Sequence, residues 1–353
     1  MVAFQIEWNK LHAKLRNCTR EELMALQPPA CAALCGGSVD DWEQLREVWG
    51  VGMGERLADI AQRPMALQVQ MLGGTEVGYA RVTRRWWQQV EGIMRSESLL
   101  KRPVYFVSSN SHSLANLVTG LAPRNEDRIT EWVAEHGPSE LQGELQRFRD
   151  GAGEGDWNNF LYFAARQHLR LAPEPDRAAL RRSEREAGVL NVPSRTALDV
   201  AAQVIPLDRL NVANFENRLG SIDANALAAT NAVVVNIDYP LGLAAYNILR
   251  QVAETASDLR GVYVLGKAAT LNADVGDVMI SSVIHDEHSG STYWLDNVFT
   301  VADIAPYLRF GSGLDNQRAV SVRGTFLQNR GYLDFYYREA FTVVEMEAGP
   351  YCA

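Results

Sequence analysis

A polar loop that follows a short run of β-forming residues is the first candidate for chemistry in this sequence. Residues 104–107 (VYFV) are typical of a strand, residues 108–113 (SSNSHS) are small and polar, and a helical pattern follows. Free N–H groups at the start of a helix can bind an anion. Asn110 or Ser111 could equally cap that helix by accepting those N–H groups. A capping or surface position explains His112 better than catalysis does.

A second candidate is a turn of small residues interrupted by one lysine. Gly266, Lys267 and Ala268 follow the predicted strand 261–265. Small residues allow the backbone to approach a ligand closely. Lys267 could hold a phosphate group as a point charge, or it could extend into solvent.

A third candidate is the run His285-Asp286-Glu287-His288. Imidazole and carboxylate groups are metal ligands. The run lies in a predicted loop, where polar residues are expected in any case, so we predict neither a metal site nor a cofactor.

The composition narrows the class of protein. The 353 residues carry 34 basic and 43 acidic side chains, which gives a net charge of −9. A general binder of nucleic acid or of anionic membranes would show clustered Lys and Arg, so we expect neither as a partner. The sequence contains no apolar run of about 18 residues, so no transmembrane helix is predicted.

The compartment is predicted from the N-terminus and the cysteines. Glu7 and Lys10 interrupt the first apolar segment, which therefore does not have the form of a signal peptide. Four cysteines are too few for a disulfide scaffold and are predicted to be reduced, buried thiols. Both features favour a cytoplasmic protein.

The hydrophobic pattern changes near residue 225. Residues 1–225 are predicted to form a mostly helical domain that contains the strand–loop–helix unit around residues 104–113. Residues 226–353 alternate strands and helices, which is typical of an α/β domain. The predicted strands of this domain are 232–237, 261–265, 278–283, 319–322 and 341–346, and its predicted helix is 241–257.

Three motifs in residues 230–353 carry a family resemblance. They are IDYPL at 237–241, VLGKAATLNADVGDVMIS at 264–281 and VVEMEA at 343–348. In this order they resemble the nucleoside phosphorylase and nucleosidase superfamily. The resemblance implies a mixed sheet flanked by helices, a small-molecule nucleoside or nucleotide as ligand, and a homo-oligomer.

The resemblance also implies roles for single residues. Glu347 would accept hydrogen bonds from the ribose 2′ and 3′ hydroxyls, and Met346 would lie against the sugar. Phe326 would stack on the base, as aromatic side chains do. Without the resemblance, a capping or ion-paired Glu347 and a core Met346 are the better interpretations, and a core Phe326 is as good an interpretation as a stacking one.

A phosphate or nucleophile loop is implied at Gly266, Lys267, Ala268 and Asp238. Lys267 stands where the family usually has Ser or Thr. Arg323 could face a phosphate or pair with a surface acid. The family's phosphorylases commonly place Arg just after the Asp-Pro-Leu segment, and residues 238–242 (DYPLG) contain none. This departure favours hydrolysis, or a substrate that brings its own phosphate.

The expected function is cleavage of the N-glycosidic bond of a purine nucleoside or nucleotide. In the family, the Asp that protonates the leaving purine lies beyond the Glu-Met-Glu strand, whereas the sequence stops at Ala353. Three interpretations stay open: a piece of a longer protein, a sheet edge covered by something else, or a protein without catalysis. The alternative function is therefore an inactive nucleotide-binding or assembly protein. A third hypothesis places the activity within residues 1–225, around Ser108–His112.

Overall fold

The chain forms two compact units in the computed structural model. The structure describes residues 2–66, 76–153, 155–171, 174–192, 194–308, 310–324 and 330–353. Its contacts divide the chain into Met1–Leu72 and Gly73–Ala353. Among the described residues, no helix combines the length and the apolar character that crossing a bilayer requires.

The described elements are α-helices, β-strands and single turns of 3₁₀-helix. The α-helices are α1 Val2–Leu15, α2 Arg20–Ala25, α3 Pro28–Cys35, α4 Val39–Trp49, α5 Met53–Gln62, α6 Glu76–Ser96, α7 Ser113–Thr119, α8 Leu121–Arg124, α9 Glu126–His136, α10 Ser139–Arg149, α11 Trp157–Leu171, α12 Glu174–Glu186, α13 Ala224–Ala229, α14 Leu243–Thr255, α15 Val301–Ile304, α16 Arg330–Arg338 and α17 Ala348–Cys352. The strands are β1 Val104–Ser108, β2 Leu190–Val192, β3 Ala202–Pro206, β4 Val233–Ile237, β5 Leu259–Val264, β6 Ala269–Thr270, β7 Val278–Asp286, β8 Ser291–Trp294, β9 Gly313–Ser321 and β10 Val343–Glu345. The 3₁₀ turns are Gly50–Gly52, Leu207–Arg209, Val212–Asn214, Asn217–Leu219 and Ala305–Tyr307.

The first unit contains helices α1–α5 around a small apolar core. Leu15, Leu23 and Leu57 are fully or almost fully buried in it. Two of its helices start with capping boxes, in which side chain and backbone at the helix start bond reciprocally: Thr19 with Glu22, and Ser38 with Asp41. Of the four free cysteines, Cys31 and Cys35 are buried here, and Cys18 and Cys352 are half-buried.

The second unit contains a five-stranded sheet with the order β2-β3-β4-β1-β5. Strands β4, β1 and β5 are parallel, and β3 and β2 continue the sheet antiparallel. Helices α6 and α14 pack on the central strands, and Trp86 of α6 is only 1% exposed. The apolar runs predicted as strands therefore form a sheet interior, as the burial of Val233, Val235 and Ile237 shows.

A second sheet in the same unit has the order β6-β10-β9-β7-β8. Strands β7, β9 and β10 are parallel, whereas β6 and β8 pair antiparallel at its two edges. The prediction of a mixed α/β fold with a helical N-terminal region is confirmed at this level.

The structure differs from the predicted domain organisation. No boundary between compact units lies near residue 225, because β1, β2 and β3 from before that residue pair in one sheet with β4 and β5 from after it. Within the region before residue 225, α9 ends at His136 and α10 begins at Ser139. Pro138 between them has no N–H to continue the helix.

Candidate functional site

The carboxyl ends of three parallel strands meet at one edge of the first sheet. Ser108 of β1 lies opposite Ile237 of β4 and opposite Val264 of β5. The loops that follow are residues 109–112, 238–242 and 265–268. Ligands of open α/β sheets bind at this end of the strands, because the loops from neighbouring strands converge there.

The loop after β1 is held by its own side chains. The side-chain oxygen of Asn110 accepts hydrogen bonds from the backbone N–H groups of His112, at 3.1 Å, and Ser113, at 2.6 Å. The N-cap position of α7 is His112, and Asn110 binds the N–H groups of this residue and of Ser113 from two residues earlier in the loop. Ser111 has a different role, since its hydroxyl donates to the carboxylate of Asp238 at 3.1 Å and joins this loop to the next.

A network of hydrogen bonds centred on a buried amide side chain holds the loop after β1 in place. Asn236, which is fully buried, accepts a hydrogen bond from the hydroxyl of Ser109 at 2.8 Å. Its amide donates to the carbonyl of Asn110 and to the side chain of Gln203, both at 3.0 Å. Because all these groups find partners in the interior, they fix the loop after β1 instead of destabilising the sheet.

The strand ends of the second sheet place three polar side chains in register. Asp286 of β7 lies opposite Ser321 of β9, and Ser321 lies opposite Glu345 of β10. The carboxylate of Glu345 accepts the hydroxyl of Ser321 and the backbone N–H groups of Glu347 and Ala348, each N–H at 2.6 Å. Glu345 thus fixes the start of α17 as a structural residue.

Glu347 lies at the start of α17 and contacts the loop after β4. Its Oε1 accepts a hydrogen bond from the backbone N–H of Gly242 at 3.3 Å. Burial, together with the nearby charge of Glu345, raises the pKa of Glu347 in spite of this hydrogen bond. Gly242 has a φ of +54°, a conformation that favours glycine, and so the chain can turn there and present its N–H.

Helix α17 contacts the strand ends of both sheets. At one end of it, Gly349 packs so closely on Asp286 that an added Cβ would lie 2.5 Å from the Asp286 Cβ. At the other end, the Tyr351 hydroxyl donates to the Ser108 hydroxyl at 2.8 Å. These two contacts bring the Glu-Met-Glu segment to the loops of the first sheet.

A basic group contacts the loop after β1. Arg166 of α11 places its Nη1 3.3 Å from Nδ1 of His112. Burial lowers the pKa of His112, and the charges of Arg166 and Lys267 lower it further, whereas Asp238 opposes the shift. The sequence analysis missed Arg166, because nothing in a helix 54 positions from His112 indicates that it reaches the loop.

The structure brings together only part of the predicted site. Glu347, Asp238 and the segment Gly266, Lys267 and Ala268 belong to the converging loops and to α17, which adjoins them. Met346 instead packs in the apolar cluster of the second sheet with Val320, Val322 and Val344. This placement agrees with the interpretation of Met346 as a core residue.

Two further predicted residues lie elsewhere or outside the description. The guanidinium of Arg323 donates a hydrogen bond to the carbonyl of His288 at 3.1 Å. Arg323 therefore contacts the loop after β7 and not the loops of the first sheet. Phe326 lies outside the residues that the structure describes. Within the run 285–288, side chains bond to one another. The carboxylate of Asp286 accepts hydrogen bonds from the ring Nδ1–H and the backbone N–H of His288. Within the described ranges, no group of three or more His, Cys, Asp or Glu could hold a metal ion.

A family model matches the chain over residues 1–353, and its description is "Family of unknown function (DUF6909)". No curated protein matches the chain. The chain belongs to this family.

Proposed function

We propose that this member of the DUF6909 family cleaves the N-glycosidic bond of a purine nucleoside or nucleotide. The proposal includes a nucleoside-phosphorylase-like fold for the two sheets of the second unit. It is supported by the order of the three motifs and by the convergence of the segments that carry them. IDYPL ends beside Glu347, and the turn Gly266–Ala268 follows β5, which is separated from β4 by β1 in the same sheet.

The observation that carries the proposal is the hydrogen bond between Gly242 and Glu347. It places a half-buried carboxylate at the carboxyl ends of parallel strands, the edge at which open α/β sheets bind their ligands. A carboxylate has two oxygens and about four acceptor positions, and the Gly242 N–H uses one of them. The remaining positions suit two vicinal hydroxyls of a ribose.

This geometry suits the chemistry of bond cleavage. Glycoside cleavage passes through a transition state in which the sugar ring carries positive charge. A carboxylate held at the ribose hydroxyls orients the ring and stabilises that charge more than it stabilises the neutral ground state. The negative charge is needed for this, so the raised pKa of Glu347 predicts that activity declines when the site is acidified.

Hydrolysis fits the loop better than phosphorolysis. Residues 238–242 contain no arginine, and the Asp238 carboxylate at the start of this loop accepts the Ser111 hydroxyl. The loop therefore lacks the side chain with which the family's phosphorylases hold a phosphate nucleophile, and water is the expected nucleophile.

The test is a base-release assay followed by chromatography. The chain is incubated with purine nucleosides and their 5′-monophosphates, each with and without inorganic phosphate. We expect free base without phosphate, and we expect Glu347→Gln to lower kcat/KM about 100-fold, because one charge-assisted hydrogen-bond site to the ribose is lost. The matched control is Glu339→Gln, since Glu339 is exposed and lies beyond α16.

The outcomes separate the candidate functions. Base release that depends on Glu347 and not on Glu339 supports the nucleosidase. Nucleotide binding without base release from any substrate would instead support the alternative of an inactive binding or assembly protein. Equal activity of wild type and Glu347→Gln would contradict the role of Glu347.

A further inference from the structure

Three amide side chains form a row across the first sheet. Asn191 of β2 lies opposite Gln203 of β3, and Gln203 lies opposite Asn236 of β4. The Gln203 amide donates to the side-chain oxygen of Asn191, and the Asn236 amide donates to that of Gln203, both at 3.0 Å. Gln203 is 2% exposed and Asn236 is fully buried, so their polar atoms need partners inside the protein.

One end of this row contacts the loop after β1. The second N–H of Gln203 donates to the carbonyl of Ser111 at 2.8 Å, and the second N–H of Asn236 donates to the carbonyl of Asn110 at 3.0 Å. The Asn236 side-chain oxygen accepts the Ser109 hydroxyl. Because carbonyl oxygens only accept, both amides must turn their nitrogen toward the loop. The loop therefore defines the orientation of the amides.

The other end of the row contacts a half-buried carboxylate on α12. Since Gln203 uses its N–H groups as donors, Asn191 turns its oxygen toward Gln203 and its own NH₂ group away from it. This NH₂ group donates to Oε2 of Glu184 at 2.5 Å. Within the part of the chain that the structure describes, the Asn191 NH₂ group has no other acceptor. Glu184 is thus the acceptor that completes the row.

All the bonds between these side chains run in one direction. The Ser109 hydroxyl donates to Asn236, and each amide then donates to the next until the last one reaches the carboxylate. Hydrogen bonds in such a series polarise one another, and the bond to a carboxylate is the strongest type among them. Loss of the last acceptor should therefore weaken the whole series.

The loop after β1 also contacts the loop that reaches the proposed site. The Ser111 hydroxyl donates to Asp238, at the start of the loop after β4. The same loop ends at Gly242, whose N–H donates to Glu347. A displacement of the loop after β1 should therefore change the position of the groups around Glu347.

We propose that Glu184 is a positioning residue that holds the loop after β1 in place through the row of three amides. Its effect on turnover rests on the proposed function, whereas its effect on the loop does not. Without the carboxylate, the Asn191 NH₂ group loses its acceptor and the amides can reorient. Their hydrogen bonds to the loop carbonyls then weaken.

Hydrogen exchange measured by NMR tests the effect on the loop. The reporters are the backbone N–H groups of His112 and Ser113, which bond to Asn110, and those of β4 serve as the reference. We expect Glu184→Leu to speed exchange at the two reporters about tenfold relative to β4, because a local opening exposes the loop and not the sheet. General destabilisation would speed exchange in both regions alike.

Two further variants separate the acceptor from the charge and from the helix. Glu184→Gln keeps a side-chain oxygen that can accept from Asn191, so it should retain the exchange rates of the wild type. Glu186→Leu changes an exposed glutamate of the same helix and should also leave them unchanged. Equal exchange ratios in Glu184→Leu and the wild type would overturn the proposal.

A variant at the other partner tests the connection independently. Asn191→Leu should speed loop exchange as Glu184→Leu does. The double variant should be no faster than either single one, because both changes interrupt the same series of bonds. Additive effects of the two changes would show that Glu184 does not act through Asn191, and would overturn the proposal.

The base-release assay separates this proposal from the proposed function. We expect Glu184→Leu to lower kcat/KM about tenfold and Glu184→Gln to stay near the wild type, because misplaced groups lose rate. Faster loop exchange in Glu184→Leu, in a protein that releases no base, supports the positioning role and removes the nucleosidase. Base release with unchanged kcat/KM and unchanged loop exchange in Glu184→Leu supports the nucleosidase and removes the positioning role.

Discussion

The hydroxyl of Tyr351 donates a hydrogen bond to the hydroxyl of Ser108 at 2.8 Å, across 243 positions of sequence. Ser108 ends β1 in the first sheet, and Tyr351 lies on α17, which follows β10 of the second sheet. The same tyrosine packs its ring at 6.0 Å from that of Phe106. Helix α17 thereby connects the two sheets at the ends where their parallel strands finish.

Tyr351→Phe removes this hydrogen bond and keeps the ring contact. We expect it to lower the free energy of unfolding by about 1 kcal/mol, the usual net value of one such bond. Chemical denaturation measures the change. Tyr337→Phe is the control because Tyr337 is 63% exposed, and it should have no effect. Equal stability of the two variants would show that the bond contributes nothing.

Gly349→Ala should disturb the position of α17. The added Cβ would lie 2.5 Å from the Asp286 Cβ and 2.8 Å from the Ser321 hydroxyl oxygen, which is too close for real atoms. We expect a loss of about 1–3 kcal/mol in the free energy of unfolding, typical of overpacking.

Gly92→Ala provides the opposite expectation for the same substitution. Gly92 lies in α6, and an added Cβ there meets nothing within 4 Å. Alanine in a helix should stabilise the protein by about 0.5–1 kcal/mol. If Gly349→Ala stabilised the protein as much as Gly92→Ala, this result would contradict the close packing of α17 against Asp286.

Asn236→Ala should be far more damaging than a similar change on the surface. It removes the partner of the Ser109 hydroxyl, the Asn110 carbonyl and the Gln203 side chain, in the interior of the sheet. We expect a loss of about 3 kcal/mol, because each buried polar group left without a partner is costly. Asn247→Ala, which removes one local bond on α14, should cost much less. Thermal or denaturant unfolding compares the two.

The stability of the protein should depend on pH through His112. Its pKa in the folded protein is below the usual value of 6.5, because it is buried and faces Arg166 and Lys267, with Asp238 opposing. Below pH 6.5 the unfolded chain takes up the proton first, so the wild type loses stability as the pH falls toward the folded pKa. His112→Gln lacks this effect. The free energies of unfolding of the two proteins, measured by chemical denaturation, should differ by a constant amount above pH 6.5 and by a changing amount below it. A difference in the free energy of unfolding that stays the same from pH 7.5 to 4.5 would contradict the lowered pKa.

The same histidine reports on its neighbours by NMR. Arg166→Gln removes a positive charge 3.3 Å from the ring, so the pKa of His112 should rise. Arg84→Gln, which changes an exposed arginine of α6, should leave it unchanged. Phosphate added to the wild type should also raise the pKa of His112 if the anion binds between the basic groups. The absence of both pKa shifts would contradict the placement of these basic groups beside His112.

Local pattern and composition predicted several elements correctly. The runs at 104–107, 232–237 and 261–265 are strands β1, β4 and β5, and residues 241–257 contain α14, because alternation and apolar runs are properties of neighbouring residues. Asn110 binds the N–H of Ser113 at the start of α7, as its position before a predicted helix allows.

Tertiary structure alone decided which of these elements meet. Strand β1 inserts between β4 and β5, although more than a hundred positions separate it from both, and no local pattern encodes that pairing. The placement of Arg166 beside His112 depends on how Glu216 holds α11, and the different roles of Glu345 and Glu347 depend on Ser321 and Gly242. A sequence pattern contains information about periodicity over a few helical turns or one strand. A site depends on contacts between residues that are distant in the sequence, and these contacts form only when the whole fold is assembled.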